Sequence, residues 1–110
     1  MIKLNRLEQR LLRLSRSAVQ GGLSLTTRTC GVAGCACRSD PARRHGPHLY
    51  LTFKTPDGRS SGFYVSREHE KRVRRAVADW ARLWETLVVI GRRNRQALHR
   101  SIRARGRKRA

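Results

Sequence analysis

Five residues able to ligate a metal crowd into one short stretch: Cys30, Cys35, Cys37, His45 and His48, spaced C-x4-C-x-C-x7-H-x2-H. A structural zinc ion takes four soft or borderline donors in a tetrahedron, and three thiolates with one imidazole satisfy it. The spacing is not the common paired C-x2-C. Reduced cysteines can also act simply as small hydrophobes, but these three lie among Gly, Ser and Arg, not in an apolar run. The expectation is therefore a structural Zn2+ site of Cys30, Cys35, Cys37 and one histidine. His45 precedes Gly46-Pro47, a turn able to aim it back at the cysteines, and is the preferred fourth ligand. His48 is the alternative. His69 and His99 sit among basic residues of a long helical pattern and read as solvated side chains.

Cys37 with His45 also has the form of a nucleophile and its base, yet such a pair needs an orienting group. The chain has only 7 acidic residues, dispersed, and it lacks the G-x-S-x-G, P-loop and H-E-x-x-H patterns. The expectation is that it is not an enzyme.

The second chemical signal is charge. The 110 residues hold 26 Lys+Arg against 7 Asp+Glu, a formal net charge of +19. Self-repulsion on that scale favours association with a polyanion, and nucleic acid is the commonest one. Arginine, which far outnumbers lysine here, binds phosphate bidentately and stacks on bases. The charge is unevenly placed. Residues 91–110 contain nine basic residues and no acid: Arg92, Arg93, Arg95, Arg100, Arg103, Arg105, Arg107, Lys108 and Arg109. These are the expected phosphate contacts. Tyr50 and Tyr64 fall on the polar face of a hairpin and are the candidates for base stacking, although a cross-strand pair can serve the hairpin alone. Trp80 and Trp84 share a seam with Val77, Leu83 and Leu87 and are expected in the core.

The elements that must position these groups are legible from periodicity. Leu4, Leu7, Leu11, Leu14 and Ala18 recur at spacings of three and four, an amphipathic helix flanked by a stripe of Lys3, Arg6, Arg10 and Arg13. Gly21-Gly22 ends it, and Leu23 to Thr29 reads as a short strand. Cys30 to Pro47 has no periodicity. From His48 to Lys54 the pattern alternates, with Leu49, Leu51 and Phe53 on one face. Thr55-Pro56-Asp57-Gly58 is turn chemistry, and Ser60 to Val65 returns as the second strand of a β-hairpin. Ser66 then caps a long helix with Glu68 and Glu70 in its first turn. Its seam runs Val73, Val77, Trp80, Trp84, Leu87, Ile90, Asn94, Leu98 and Ile102.

The run Cys30-Gly31-Val32-Ala33-Gly34-Cys35-Ala36-Cys37, then His45-Gly46-Pro47, a hairpin ending Tyr64-Val65 and a helix with a late Asn94 resembles a family of small prokaryotic proteins. That family is defined only as a domain of unknown function, with a C-G-x-x-G-C-x-C core followed by H-G-P and an aromatic-rich strand. The resemblance covers residues 25 to 98. It implies that Cys30, Cys35, Cys37 and His45 form a unit, and it implies no activity. His48 stands where members usually carry an aromatic residue, and Ser66 where many carry Pro.

The expected fold is α+β: a β-hairpin mini-sheet with a Cys3His zinc loop, flanked by an N-terminal helix and a long C-terminal helix. Residues 1–104 are expected as one domain (helix 1–20, zinc loop and hairpin 23–65, long helix 66–104), with a basic tail over 105–110. The two Leu-rich seams are expected to pack on each other or on a second copy. No stretch is apolar enough to cross a membrane, and Met1 to Ser17 does not read as a signal peptide, so the expected location is the cytoplasm with no membrane partner. The expected function is non-catalytic nucleic-acid binding, RNA slightly favoured over DNA, within a larger nucleoprotein assembly. A helical protein–protein scaffold is the alternative, and a ribosome-associated protein the third reading.

Overall fold

The computed structural model describes residues 3–109. In chain order it contains a helix α1 (Arg6–Ser15), a strand β1 (Gly22–Arg28), two single 3-10 turns (Ala36–Arg38 and Pro41–Arg43), strands β2 (His45–Lys54) and β3 (Ser60–Val65), and a helix α2 (Arg67–Arg109). The architecture is α+β, as expected: an antiparallel sheet with one helix before it and one long helix after it. The strand order is β1-β2-β3, so the mini-sheet has three strands and β2 is central.

The hairpin β2–β3 forms where alternation and turn chemistry place it. Leu49 pairs with Val65, Tyr50 with Tyr64 and Leu51 with Phe63. Partners in an antiparallel ladder share a face, so Leu49, Leu51 and Val65 lie together and are buried. Val19, Leu23, Val73 and Val77 pack against them, the last two from the start of α2. Residues 19–77 form one compact unit around this core. Phe63 shares the face but is exposed, near the end of the covered area.

Helix α1 and residues 78–110 make up a second compact unit. The start of α1 is held by a capping box: the Glu8 backbone N–H donates to the Asn5 side chain at 2.8 Å, and the Asn5 N–H donates to the Glu8 carboxylate at 3.2 Å. The expected seam holds, since Leu14 is buried while Leu4, Leu7, Leu11 and Ala18 are half-buried. On α2 the covered line differs from the expected one. It passes through Trp80, Leu83, Thr86 and Ile90, whereas Trp84 is 61% exposed and Leu87 43% exposed. The expectation that Trp84 and Leu87 belong to the core is therefore corrected. Thr86, only 4% exposed, takes the covered position. Its hydroxyl donates to the Arg82 carbonyl at 2.8 Å and accepts from Arg10 Nε of α1 at 3.2 Å. A short polar side chain satisfied on both sides lets α1 approach where Trp or Leu would hold it off.

Helix α2 continues through Gly91 without interruption and takes in residues 105–109, which the charge pattern had set apart as a tail. No described helix is long and apolar enough to cross a membrane.

Candidate metal centre

The connection from β1 to β2 carries the cysteines. Cys30 stands two residues beyond Arg28, the end of β1, and His45 is the first residue of β2. Between them, Cys35 precedes the first 3-10 turn and Cys37 lies inside it. Asp40 starts the second turn by accepting the Ala42 N–H at 3.0 Å. Gly46 has a φ of +113°, a conformation L side chains rarely adopt, and a Cβ there would lie 2.8 Å from the Thr26 carbonyl oxygen. The glycine after His45 therefore lets β2 begin tightly against β1.

The ligand atoms of Cys30, Cys35, Cys37 and His45 all lie within 4.8 Å of one another. Cys30 Sγ is 3.5 Å from Cys37 Sγ, and Cys35 Sγ is 3.5 Å from His45 Nε2. Metal–sulfur bonds of ~2.3 Å and metal–nitrogen bonds of ~2.0–2.1 Å give tetrahedral edges of about 3.5–3.8 Å. The spacing of the donors thus fits one ion at their centre. His48 is not part of the cluster. Its ring stands edge-on to Tyr64, with centroids 5.4 Å apart.

The local electrostatics suit a cation. The Cys35 thiol is lowered from 9.0 to about 6 by the Cys37 backbone N–H and by the His45 ring, with the other two thiols adding to the effect. His45 is raised above its ordinary value, first by its hydrogen bond to Cys35 and then by Cys30. At Cys37 the Cys30 N–H, donating at 3.3 Å, favours the thiolate. Burial and the neighbouring thiols outweigh it and push Cys37 up. Cys37 is the best-covered side chain of the set, 1% exposed. At Cys37 the neighbouring thiols oppose ionisation, and a divalent ion at the centre would remove that opposition.

Beside the cluster lies a cleft of about 390 Å³ lined by Arg28, Cys30, His45, His48, Tyr50 and Tyr64, among others. The sequence placed Tyr50 and Tyr64 on one polar face, and the ladder pairs them directly. It did not single out Arg28, whose guanidinium lies 4.4 Å from the centre of the Tyr50 ring. The reason is a register shift between Thr26 and Arg28, which sets Arg28 opposite His45. A bulge of that kind re-aims a side chain and leaves no sequence signature in polar residues.

The basic residues toward the end of α2 belong to the other compact unit. Arg92, Arg93, Arg95, Arg100, Arg103, Arg105 and Arg107 are exposed, and among the described residues none of them pairs with a carboxylate. The contacts expected of Lys108 and Arg109 lie outside the residues whose side chains are described. At about 100° per residue, a continuous helix puts Arg92, Arg93, Arg100, Arg103 and Arg107 within one arc of roughly 100°.

Among known proteins, the family model with the description Domain of unknown function (DUF6788) matches residues 2–75. No curated protein and no solved structure matches the chain.

Proposed function

The chain belongs to the DUF6788 family of domains of unknown function, and for this member we propose a non-catalytic nucleic-acid-binding role on a zinc-stabilised fold. The observation that carries the reading is the Arg-lined face of α2. Five guanidinium groups along one side of a helix, spanning ~23 Å at ~1.5 Å per residue, match the extended charge of a phosphate backbone. No described acid competes for them. This segment lies beyond the matched residues 2–75. The reading accordingly rests on the chain's own residues.

Zinc suits the cluster because three thiolates and an imidazole are its preferred structural donor set. Closed by four protein ligands, such a site holds the β1–β2 connection and leaves no open position for catalysis. RNA is slightly favoured over DNA, given the arginine bias and the aromatic sheet face. A role within a larger assembly, the ribosome included, suits a long cationic helix.

A second reading has its own support. Trp84, Leu87, Leu98 and Ile102 are all exposed on α2, on the side away from the Arg face. Such a stripe suits a helical protein partner or a second copy.

The deciding experiment is a salt titration of binding to RNA and to duplex DNA, on protein whose zinc content has been measured. Steep salt dependence carried by the Arg face supports nucleic-acid binding. Weak, salt-insensitive binding overturns it in favour of the scaffold.

A further inference from the structure

The cleft beside the cysteine cluster carries a more specific function than charge neutralisation. Tyr64 lies on an edge strand and is 51% exposed. Its two ring neighbours meet it at steep angles, His48 at 88° and Tyr50 at 58°. Neither lies flat on it, so a face of the phenol ring is left for a planar group. Gly62, two residues earlier and on the same side of β3, has no side chain to cover that approach. Tyr50 is already covered by the Arg28 guanidinium. Arg28 thus brings a fixed positive charge to the edge of an aromatic floor.

We propose that this cleft is a subsite for one unpaired nucleobase, stacked on Tyr64, with the adjoining phosphate at Arg28. The inference rests on the nucleic-acid reading above and adds to it a preference for single strands. The cleft is shallow and open to solvent, and its volume of about 390 Å³ leaves room for one base laid on an exposed ring. A base within a duplex has both faces occupied by its neighbours and cannot present one to Tyr64. The phosphates of a duplex still reach the Arg face of α2. The two surfaces therefore read different properties of a nucleic acid: α2 reads charge, and the sheet reads the presence of an unstacked base.

The test uses the full zinc-loaded chain and three probes of equal phosphate count: a single-stranded oligouridine, the same backbone without bases, and a duplex. Stacking on one aromatic side chain is worth a preference of about 5- to 100-fold for the base-bearing strand over the abasic one. Tyr64→Leu, which keeps apolar bulk for the sheet, should remove that preference, and Tyr64→Phe should retain it. Zinc content and helicity, measured on each variant, show that the fold is kept. Equal affinity of the parent protein for base-bearing and abasic strands overturns the subsite and leaves the phosphate-binding reading intact. So does a preference that survives in Tyr64→Leu. Failure to bind any of the three probes removes the nucleic-acid reading and the subsite together.

Discussion

Arg10 on α1 reaches Thr86 on α2 across 3.2 Å, joining residues 76 positions apart in the chain through a nearly buried hydroxyl. The Thr86 oxygen also donates to the Arg82 carbonyl, so both of its hydrogen-bonding roles are used. Thr86→Val keeps the shape and removes both bonds, at an expected cost of about 1–3 kcal/mol. Arg10→Ala removes only one. A double-mutant cycle by urea denaturation should show the two changes to be non-additive. Additive costs would mean that the bond contributes nothing to the packing of α1.

The exposed residues of the same helix should behave differently. Trp84→Ala and Leu87→Ala are expected to change the stability of dilute protein by no more than ~0.5 kcal/mol each. Leu51→Ala, in the covered core of the sheet, should cost about 2–5 kcal/mol. Thermal melts over a range of protein concentration check this. A loss of Tm at Trp84 or Leu87 that grows with concentration would reveal a partner copy on the apolar stripe.

Metal removal should expose the reactivity of Cys35. Its value in the metal-free protein is lowered from 9.0 to about 6. A depressed value means that the folded state favours the thiolate. Its contribution to stability is thus complete above pH 9 and is lost as pH falls to about 6. His45 runs in the opposite sense, because its value is raised. Its contribution is present below pH 6.5 and fades as pH rises through the raised value. The rate of iodoacetamide alkylation at Cys35, followed by mass spectrometry of the peptide, should rise with a midpoint near pH 6. A midpoint near 9 would place His45 and the Cys37 amide away from this sulfur.

With the metal in place, elemental analysis should find about one zinc per chain. Cys35→Ser should lower both zinc content and Tm, since binding energy in such a loop is also folding energy. Reduced protein purified without chelator and carrying no metal would overturn the zinc assignment.

The Arg face gives a quantitative expectation. Deleting residues 103–110 removes Arg103, Arg105, Arg107, Lys108 and Arg109. Each phosphate contact contributes about −0.7 to the slope of log affinity against log salt on single strands, and about −0.9 on duplex DNA. A helix shows only about half of such residues to one side, so with roughly three of the five in contact the slope should become shallower by about two to three units, with zinc content kept. An unchanged slope would move the binding surface off this helix.

Features resting on local chemistry were legible in the sequence. The hairpin follows from alternation around Thr55-Pro56-Asp57-Gly58, and its ladder places Leu49, Leu51 and Val65 as the alternation requires. That Cys30, Cys35, Cys37 and His45 would cluster was readable because thiols among Gly, Ser and Arg have little else to do. Two placements were not. On α2, Trp84 and Leu87 are more apolar than Thr86, yet the covered side is set by where α1 can approach, a non-local fact. Arg28 and His48 reach the cleft through a bulge and a ring packing that no periodicity encodes.

The 16 residues between β1 and β2 far exceed the two to five of an ordinary hairpin loop, and nothing in their length dictates how the strands align. The cluster supplies that alignment. Cys30 stands two residues beyond Arg28, the last residue of β1, which pairs with His45, itself a member of the cluster. A slip of one residue would carry His45 out of the cluster and turn Leu23 of β1 away from the face of Leu49 and Leu51. An ion held there would work as a register pin, in a place where other sheets use a tight turn. Without it, β2 and β3 keep their own turn, while β1 becomes a loosely held strand beside an open edge of β2. Loss of zinc should accordingly lead first to strand exchange between molecules and then to aggregation, ahead of global unfolding.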